Sequence, residues 1–216
     1  MTGQDSFYLD ILKGLGVYFD SRFIDDIRKT AARYPEPALG YALNRNQVAS
    51  KKWLADALFD VTDGKLGRVC VLGGWYGVLS AMLLHDPRFR IEAAESVDID
   101  AGCAEIAESL NRTHVDSGAF TAVTADMYAL DFEDAPFDLV VNTSCEHVTD
   151  IGGLLDRIPA GTLLVLQSNN YYGIEGHVNC VDDLESFKGQ APMADVMFEG
   201  GLELSNYTRF MIIGRK

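Results

Sequence analysis

Three short stretches of this 216-residue chain place glycine and acidic residues where a bound ligand would need them. The first is Gly73-Gly74-Trp75-Tyr76-Gly77, directly after an apolar run and directly before a helical one. Glycines there let the backbone turn sharply and bring its N–H groups close to a bound molecule. The second is Asp98-Ile99-Asp100, where an acid roughly 20 residues beyond a glycine turn suits ribose hydroxyls. In the third, Asp126-Met127, the carboxylate can accept from an adenine amino group while the thioether lies on the ring. Each has an ordinary alternative: a structural glycine turn, helix capping by Asp98 or Asp100, a loop role for Asp126. Gly, Asp and Asp at successive strand ends are together much harder to assign to chance. The Gly-x-Gly-x-x-Gly spacing of dinucleotide sites is missing, and Trp75 in a glycine place leaves little room for a pyrophosphate.

The elements that must position these residues fall into two parts. Residues 7–15, 21–34 and 46–61 carry apolar side chains at helical spacing, with Asp20 or Ser21 as a cap, Pro35 and Pro37 as breakers, and Gly64 and Gly67 closing the section. From Arg68 onward strands alternate with helices. Strands are expected at 69–72, 90–97, 119–124, 139–142 and 162–167, and helices at 78–85, 101–110 and 151–158. The strands are near-continuous apolar runs, as a parallel sheet covered on both faces requires. Residues 196–204 and 208–214, joined by Ser205-Asn206, read as an antiparallel hairpin on the sheet edge. The expected fold is therefore α/β and doubly wound, with a helical cap or lid at 1–66 and a Rossmann-like domain at 67–216.

Composition sets aside several classes of function. A net charge of −14 repels phosphate backbones, so nucleic acid is not an expected partner. Mean hydropathy is +0.02, and no apolar run approaches the roughly 20 residues of a membrane span. The first residues lack a secretory pattern, and Cys70, Cys103, Cys145 and Cys180 form no Cys-x-x-Cys pair, so a reducing, cytoplasmic setting is expected. His85, His114, His147 and His177 show no i, i+4 pairing, so no metal is expected, and P-loop and Gly-x-Ser-x-Gly signatures are missing.

From Arg68 to Lys216 the chain resembles the class I S-adenosylmethionine-dependent methyltransferases. The glycine turn, Asp98, Asp126, the fourth strand Phe137-Asp138-Leu139-Val140-Val141-Asn142 and the closing hairpin carry the resemblance. It departs from the family at Val71, where an acid is usual, and at Trp75, where a glycine is usual. The resemblance implies a seven-stranded sheet and S-adenosylmethionine as cofactor, held by Gly73, Gly74, Tyr76, Asp98, Ile99, Asp126, Met127 and Asn142. It also places Asn142-Thr143-Ser144-Cys145-Glu146-His147 beside the reacting centre. Asn142, His147 and Tyr171 are then the candidate catalytic residues, with Glu146, Tyr172 and His177 facing the acceptor. Cys145 reads as a packing residue. Arg45, Gln47 and Lys51 can reach the cofactor carboxylate or simply form a solvated helix start. The expected reaction is in-line methyl transfer to a small polar metabolite. Chemistry on the aminocarboxypropyl chain, by attack of an amine or by ring closure to an azetidine, is an alternative, as is a non-catalytic binding module. A nicotinamide dehydrogenase is disfavoured by the missing phosphate turn.

Overall fold

The computed structural model describes residues 11, 13–17, 20–35, 37–134 and 136–216. Of the helix expected at 7–15, residues 11 and 13–15 are helical, and the rest lies outside the described residues. Helices α1 (Ser21–Arg33), α2 (Pro37–Ala42) and α3 (Arg45–Thr62) precede β1 (Lys65–Leu72). Then follow α4 (Val78–His85), β2 (Arg90–Asp98), α5 (Cys103–Leu110), α6 (Arg112–Asp116), β3 (Phe120–Thr124) and β4 (Leu139–Asn142). The chain ends with α7 (Ile151–Asp156), β5 (Leu163–Asn169), α8 (Leu184–Gln190), β6 (Asp195–Glu203) and β7 (Thr208–Arg215). The seven strands form one sheet in the order β3-β2-β1-β4-β5-β7-β6. Strands β1 to β5 pair in parallel, and β7 runs antiparallel between β5 and β6, as the hairpin pattern leads one to expect.

Side-chain parity explains the apolar runs. Val69 and Val71 of β1 enter the core under α3 and α4, while Cys70 and Leu72 enter the opposite core with α7 and α8. Likewise Met211 and Ile213 of β7 face the first core, and Phe210 and Ile212 the second. A strand buried on both faces has no polar position to spare.

The helical prefix is not a detached cap. Leu54 and Leu58 of α3 are fully buried in the core that β1, α4 and β7 share, and Trp53 meets Phe198 of β6 edge to face at 6.0 Å. The expected boundary between residues 66 and 67 falls inside β1. Helices α2, α6 and α8 escaped the periodicity reading because they span only 6, 5 and 7 residues. Pro37 opens α2 at the first helical position, where a missing N–H costs nothing. One of the two edge strands, β6, carries Asp195, Glu199 and Glu203 and a register shift between Val196 and Phe198. No helix among the described residues is long and apolar enough to cross a membrane.

Since α3 completes one of the two cores, a chain beginning at residue 67 is expected to lose cooperative thermal unfolding. Calorimetry of that fragment beside the full chain is the check, and a sharp transition for the fragment would show the prefix to be separable.

Candidate active site

A cavity of about 400 Å³ lies at the carboxyl ends of the strands, where the strand order reverses between β1 and β4. That is the position at which open α/β sheets bind ligands. Gly73, Gly74, Trp75 and Tyr76 form one wall, followed by Asp98 and Ile99 after β2 and Met127 after β3. Thr143, Ser144, Glu146 and His147 come from the loop after β4, Gln47 and Lys51 from α3, and Arg209 from β7.

The turn after β1 keeps a glycine-like backbone with a tryptophan inside it. Gly73, Trp75 and Gly77 have φ of 62°, 49° and 68°. For a bulky residue the left-handed conformation costs about 1–3 kcal/mol and persists only when its surroundings impose it. Here the Trp75 amide donates to Asp98 Oδ2 at 2.8 Å, the Gly74 amide to the Val97 carbonyl at 3.0 Å, and the indole stacks on Tyr76 at 4.9 Å. A Cβ on Gly74 would overlap the Ser96 hydroxyl, and one on Gly77 would come within 2.7 Å of Asn111 Nδ2. Asp98 also accepts from the Asp100 amide at 3.0 Å, so each carboxylate oxygen holds one backbone N–H and retains a second lone pair. Ile99 beside it is 73% exposed, an apolar side chain left open along the cavity.

Across the cavity stands a group of buried charges. Glu146 Oε1 accepts from Arg209 Nη2 at 3.2 Å, and Arg209 Nη1 donates to the Thr143 carbonyl at 2.6 Å. Both side chains are withdrawn from water. Glu146 Oε2 is buried with no hydrogen-bond partner among the described residues. Lys51 is 9% exposed, donates to Gln47 Oε1 at 2.6 Å and makes no ion pair among the described residues. Burial pushes its amine down to about 7, with Arg209 adding repulsion and Glu146 partly offsetting both. The cluster thus holds two basic groups against one carboxylate.

No protein-family profile matches the sequence, and a comparison with curated proteins gives no match. Solved structures do match in shape. The N-methyltransferase NodS from Bradyrhizobium japonicum WM9, in complex with S-adenosyl-L-homocysteine, superposes with a TM-score of 0.62 at 12% identity, over 81% of this chain and 89% of that one. The fold is that of the class I S-adenosylmethionine-dependent methyltransferases. A putative sarcosine dimethylglycine methyltransferase from Galdieria sulphuraria gives 0.61 at 12% identity, over 79% and 86%. The [4+2]-cyclase SpnF gives 0.59 at 14% identity, over 79% and 82%. This methyltransferase fold therefore also carries a protein named for a cyclisation, and the fold alone does not select the reaction.

Of the residues singled out in the sequence, Gly73, Gly74, Tyr76, Asp98, Ile99, Met127, Glu146 and His147 line the cavity. Asp126 stands outside that lining and caps a short 3₁₀ turn, its Oδ1 accepting the Tyr128 amide at 2.9 Å. The Asn142 side chain is buried, and its Oδ1 holds the Ser144 amide at 2.8 Å and hydroxyl at 3.2 Å, so it serves the turn and does not line the cavity. Tyr171 stacks on Tyr207 at 5.0 Å, and Tyr172 is exposed and donates to Asp182 at 2.6 Å, a bond that pushes its phenol up to about 12. Neither tyrosine lines the cavity; His177 lies behind His147, the two rings edge to face at 4.7 Å. Burial pushes the Cys145 thiol well above its usual range, which keeps it protonated and inert, as a packing residue should be. Asn44 caps α3, its Oδ1 taking the Gln47 amide at 2.9 Å. Arg45 is exposed. Arg209 was not found from the sequence, although strand parity holds the signal: it shares a face with Met211 and Ile213.

A lysine whose pKa is about 7 in the folded chain and 10.5 in its ordinary state binds its proton more tightly when unfolded. Stability therefore rises with pH between those values, and the full penalty, on the order of a few kcal/mol, is present below them. Lys51→Met is accordingly expected to melt higher than the parent at pH 6, with the gap closing as pH approaches 10. Melting curves of both proteins across that range are the check; a gap that is constant or widens with pH contradicts the assignment.

Proposed function

We propose that the chain is an S-adenosylmethionine-dependent transferase acting on a small polar molecule, with methyl transfer as its reaction. One observation carries this reading: Lys51, a buried amine without an ionic partner among the described residues, faces a cavity whose far side offers Asp98 and Ile99. A buried amine in that state fits an incoming carboxylate, while a half-buried aspartate with spare lone pairs fits ribose hydroxyls. The open apolar surfaces of Ile99 and Met127 fit a flat base. The cavity volume falls within the usual range of small-ligand sites, about 300–1,000 Å³.

S-adenosylmethionine, when bound, supplies a methyl group already activated by its sulfonium. The protein's own residues then have to orient, neutralise and exclude water. Lys51, held by Gln47, takes up a proton as it meets a carboxylate, which converts the cost of burying it into binding. The strained turn at Trp75 stacks its indole on Tyr76, and both line the cavity with Asp98. Orientation of this kind is worth about 7–11 kcal/mol of barrier. Glu146 and His147 face the opposite wall, where an acceptor would lie. The acidic surface of a chain with net charge −14 supports a small acceptor over a nucleic acid. No membrane association is proposed, and a cytoplasmic setting accords with four free cysteines.

A second reading, transfer or cyclisation of the aminocarboxypropyl chain, is favoured by the same lysine. An amine with a pKa near 7 can accept the proton that a nucleophilic ammonium must lose. The two readings leave different products. The protein incubated with S-adenosylmethionine and a panel of hydroxyl, amine and thiol acceptors is expected to form S-adenosylhomocysteine only when the right acceptor is present, read by mass spectrometry. Methylthioadenosine accumulating without acceptor would replace methyl transfer by the second reading. Lys51→Met is expected to weaken S-adenosylhomocysteine at least tenfold and methylthioadenosine, which lacks the carboxylate, less than twofold, by calorimetry. Failure of the parent protein to bind either nucleoside would remove both readings.

A further inference from the structure

Linear spacing gives no metal signature, but folding brings Glu146, His147 and His177 together. Each can place one ligand atom within 4.8 Å of the others. Glu146 and His147 belong to the turn after β4, and His177 to the loop after β5. Backbone bonds stitch the two loops: the Val178 and Asn179 amides both donate to the Glu146 carbonyl at 2.9 Å, and Asn179 Nδ2 donates to the Val148 carbonyl at 2.9 Å.

Two independent features aim this trio at a cation. His147 Nδ1 lies 2.9 Å from the Gly176 carbonyl and His177 Nδ1 2.8 Å from the Tyr171 carbonyl. A carbonyl only accepts, so both Nδ1 atoms carry the proton and both Nε2 atoms are left with the lone pair, the arrangement that backbone partners impose on metal-ligating imidazoles. The second feature is Glu146 Oε2, buried on a side chain 4% exposed and without a hydrogen-bond partner among the described residues, whose sister oxygen is fixed by Arg209 at 3.2 Å. A desolvated carboxylate oxygen left bare is costly, and a cation beside it removes the cost.

We propose that Glu146, His147 and His177 bind one divalent transition-metal ion at the wall of the cavity. Two imidazoles and one carboxylate suit borderline ions such as Zn²⁺, Co²⁺ or Fe²⁺ rather than Mg²⁺ or Ca²⁺. Bonds of about 2.0–2.2 Å hold neighbouring ligands roughly 3–4 Å apart, so the loops close slightly on the ion. Arg209 neutralises the carboxylate through its other oxygen, at 3.2 Å from Oε1, which leaves Oε2 for the ion. Cys180 Sγ lies 3.7 Å from His177 Nδ1, on the far side of the ring from its lone pair, and its thiol is raised by burial and stays outside the ligand set. Because Glu146 and His147 also line the cavity, the ion would present its open positions to a hydroxyl or thiol there and lower its pKa. Binding of the ion does not depend on the transferase reading.

The test is titration of chelator-stripped full-length protein with Co²⁺, followed by calorimetry and visible absorption, without any nucleoside. One ion per chain with d–d bands of nitrogen and oxygen ligation is expected. His177→Gln and His147→Gln, both on side chains open enough to keep the fold as judged by melting temperature, are each expected to weaken binding at least tenfold. The absence of stoichiometric binding to the parent protein overturns the proposal without reference to any variant. Equal affinity of the parent and both variants overturns it equally.

Discussion

Glu146 and Arg209 are both removed from water, and each is tolerable there only because the other stands 3.2 Å away. Much of the site follows from keeping them in contact. Arg209 is the second residue of β7, so the hairpin has to lie against β5 with its first residues beside the loop after β4. Its guanidinium lies over the Tyr207 ring at 5.8 Å, and that ring stacks in turn on Tyr171. On the other side, the backbone of Glu146 receives the loop after β5. Two loops and a hairpin that share no sequence pattern are thus tied to one residue, the hairpin through its carboxylate and the loop after β5 through its backbone carbonyl, and Lys51 is buried nearby by the helix that closes the core.

The turn at Trp75 shows a different balance. A glycine would adopt the same backbone freely, whereas tryptophan stores strain that Asp98 and Tyr76 must contain. Asp98 consequently has a structural duty as well as a surface toward the cavity, since its two oxygens fix the turn after β1 and the start of the next one. A carboxylate with such fixed partners is pre-positioned, and a ligand hydroxyl meets it without reorganisation.

What could be read from the sequence divides along physical lines. The parallel strands were visible because burial on two faces leaves continuous apolar runs; residues 139–142 and 78–85 coincide with their expected bounds. The glycine turn and Asp98 were visible because a sharp strand-to-helix turn restricts residue type. For Lys51 the sequence favours a solvated helix start, yet it lies three residues before Leu54 and seven before Leu58, on the buried face of α3. Arg209 was hidden by its position at the start of an apolar strand. Asn142 and Asp126 bond their own loops, an alternative the sequence leaves open for Asp126, because a polar side chain at a strand end can bond its own loop as readily as a ligand. Nothing periodic links His147 to His177; their meeting depends on the path of two irregular loops.

The edge of the sheet at β6 has a consequence for how copies of this protein meet. An open seven-stranded sheet ends in unpaired backbone groups, and β6 presents them beside Asp195, Glu199 and Glu203. A second copy approaching edge to edge would align those same carboxylates against their counterparts, and the register shift at Val196 would spoil the ladder where it had to begin. The hairpin that delivers Arg209 to the cavity therefore also shields its own edge of the sheet against extension, so the strand supporting the site and the strand guarding that edge are two arms of one turn.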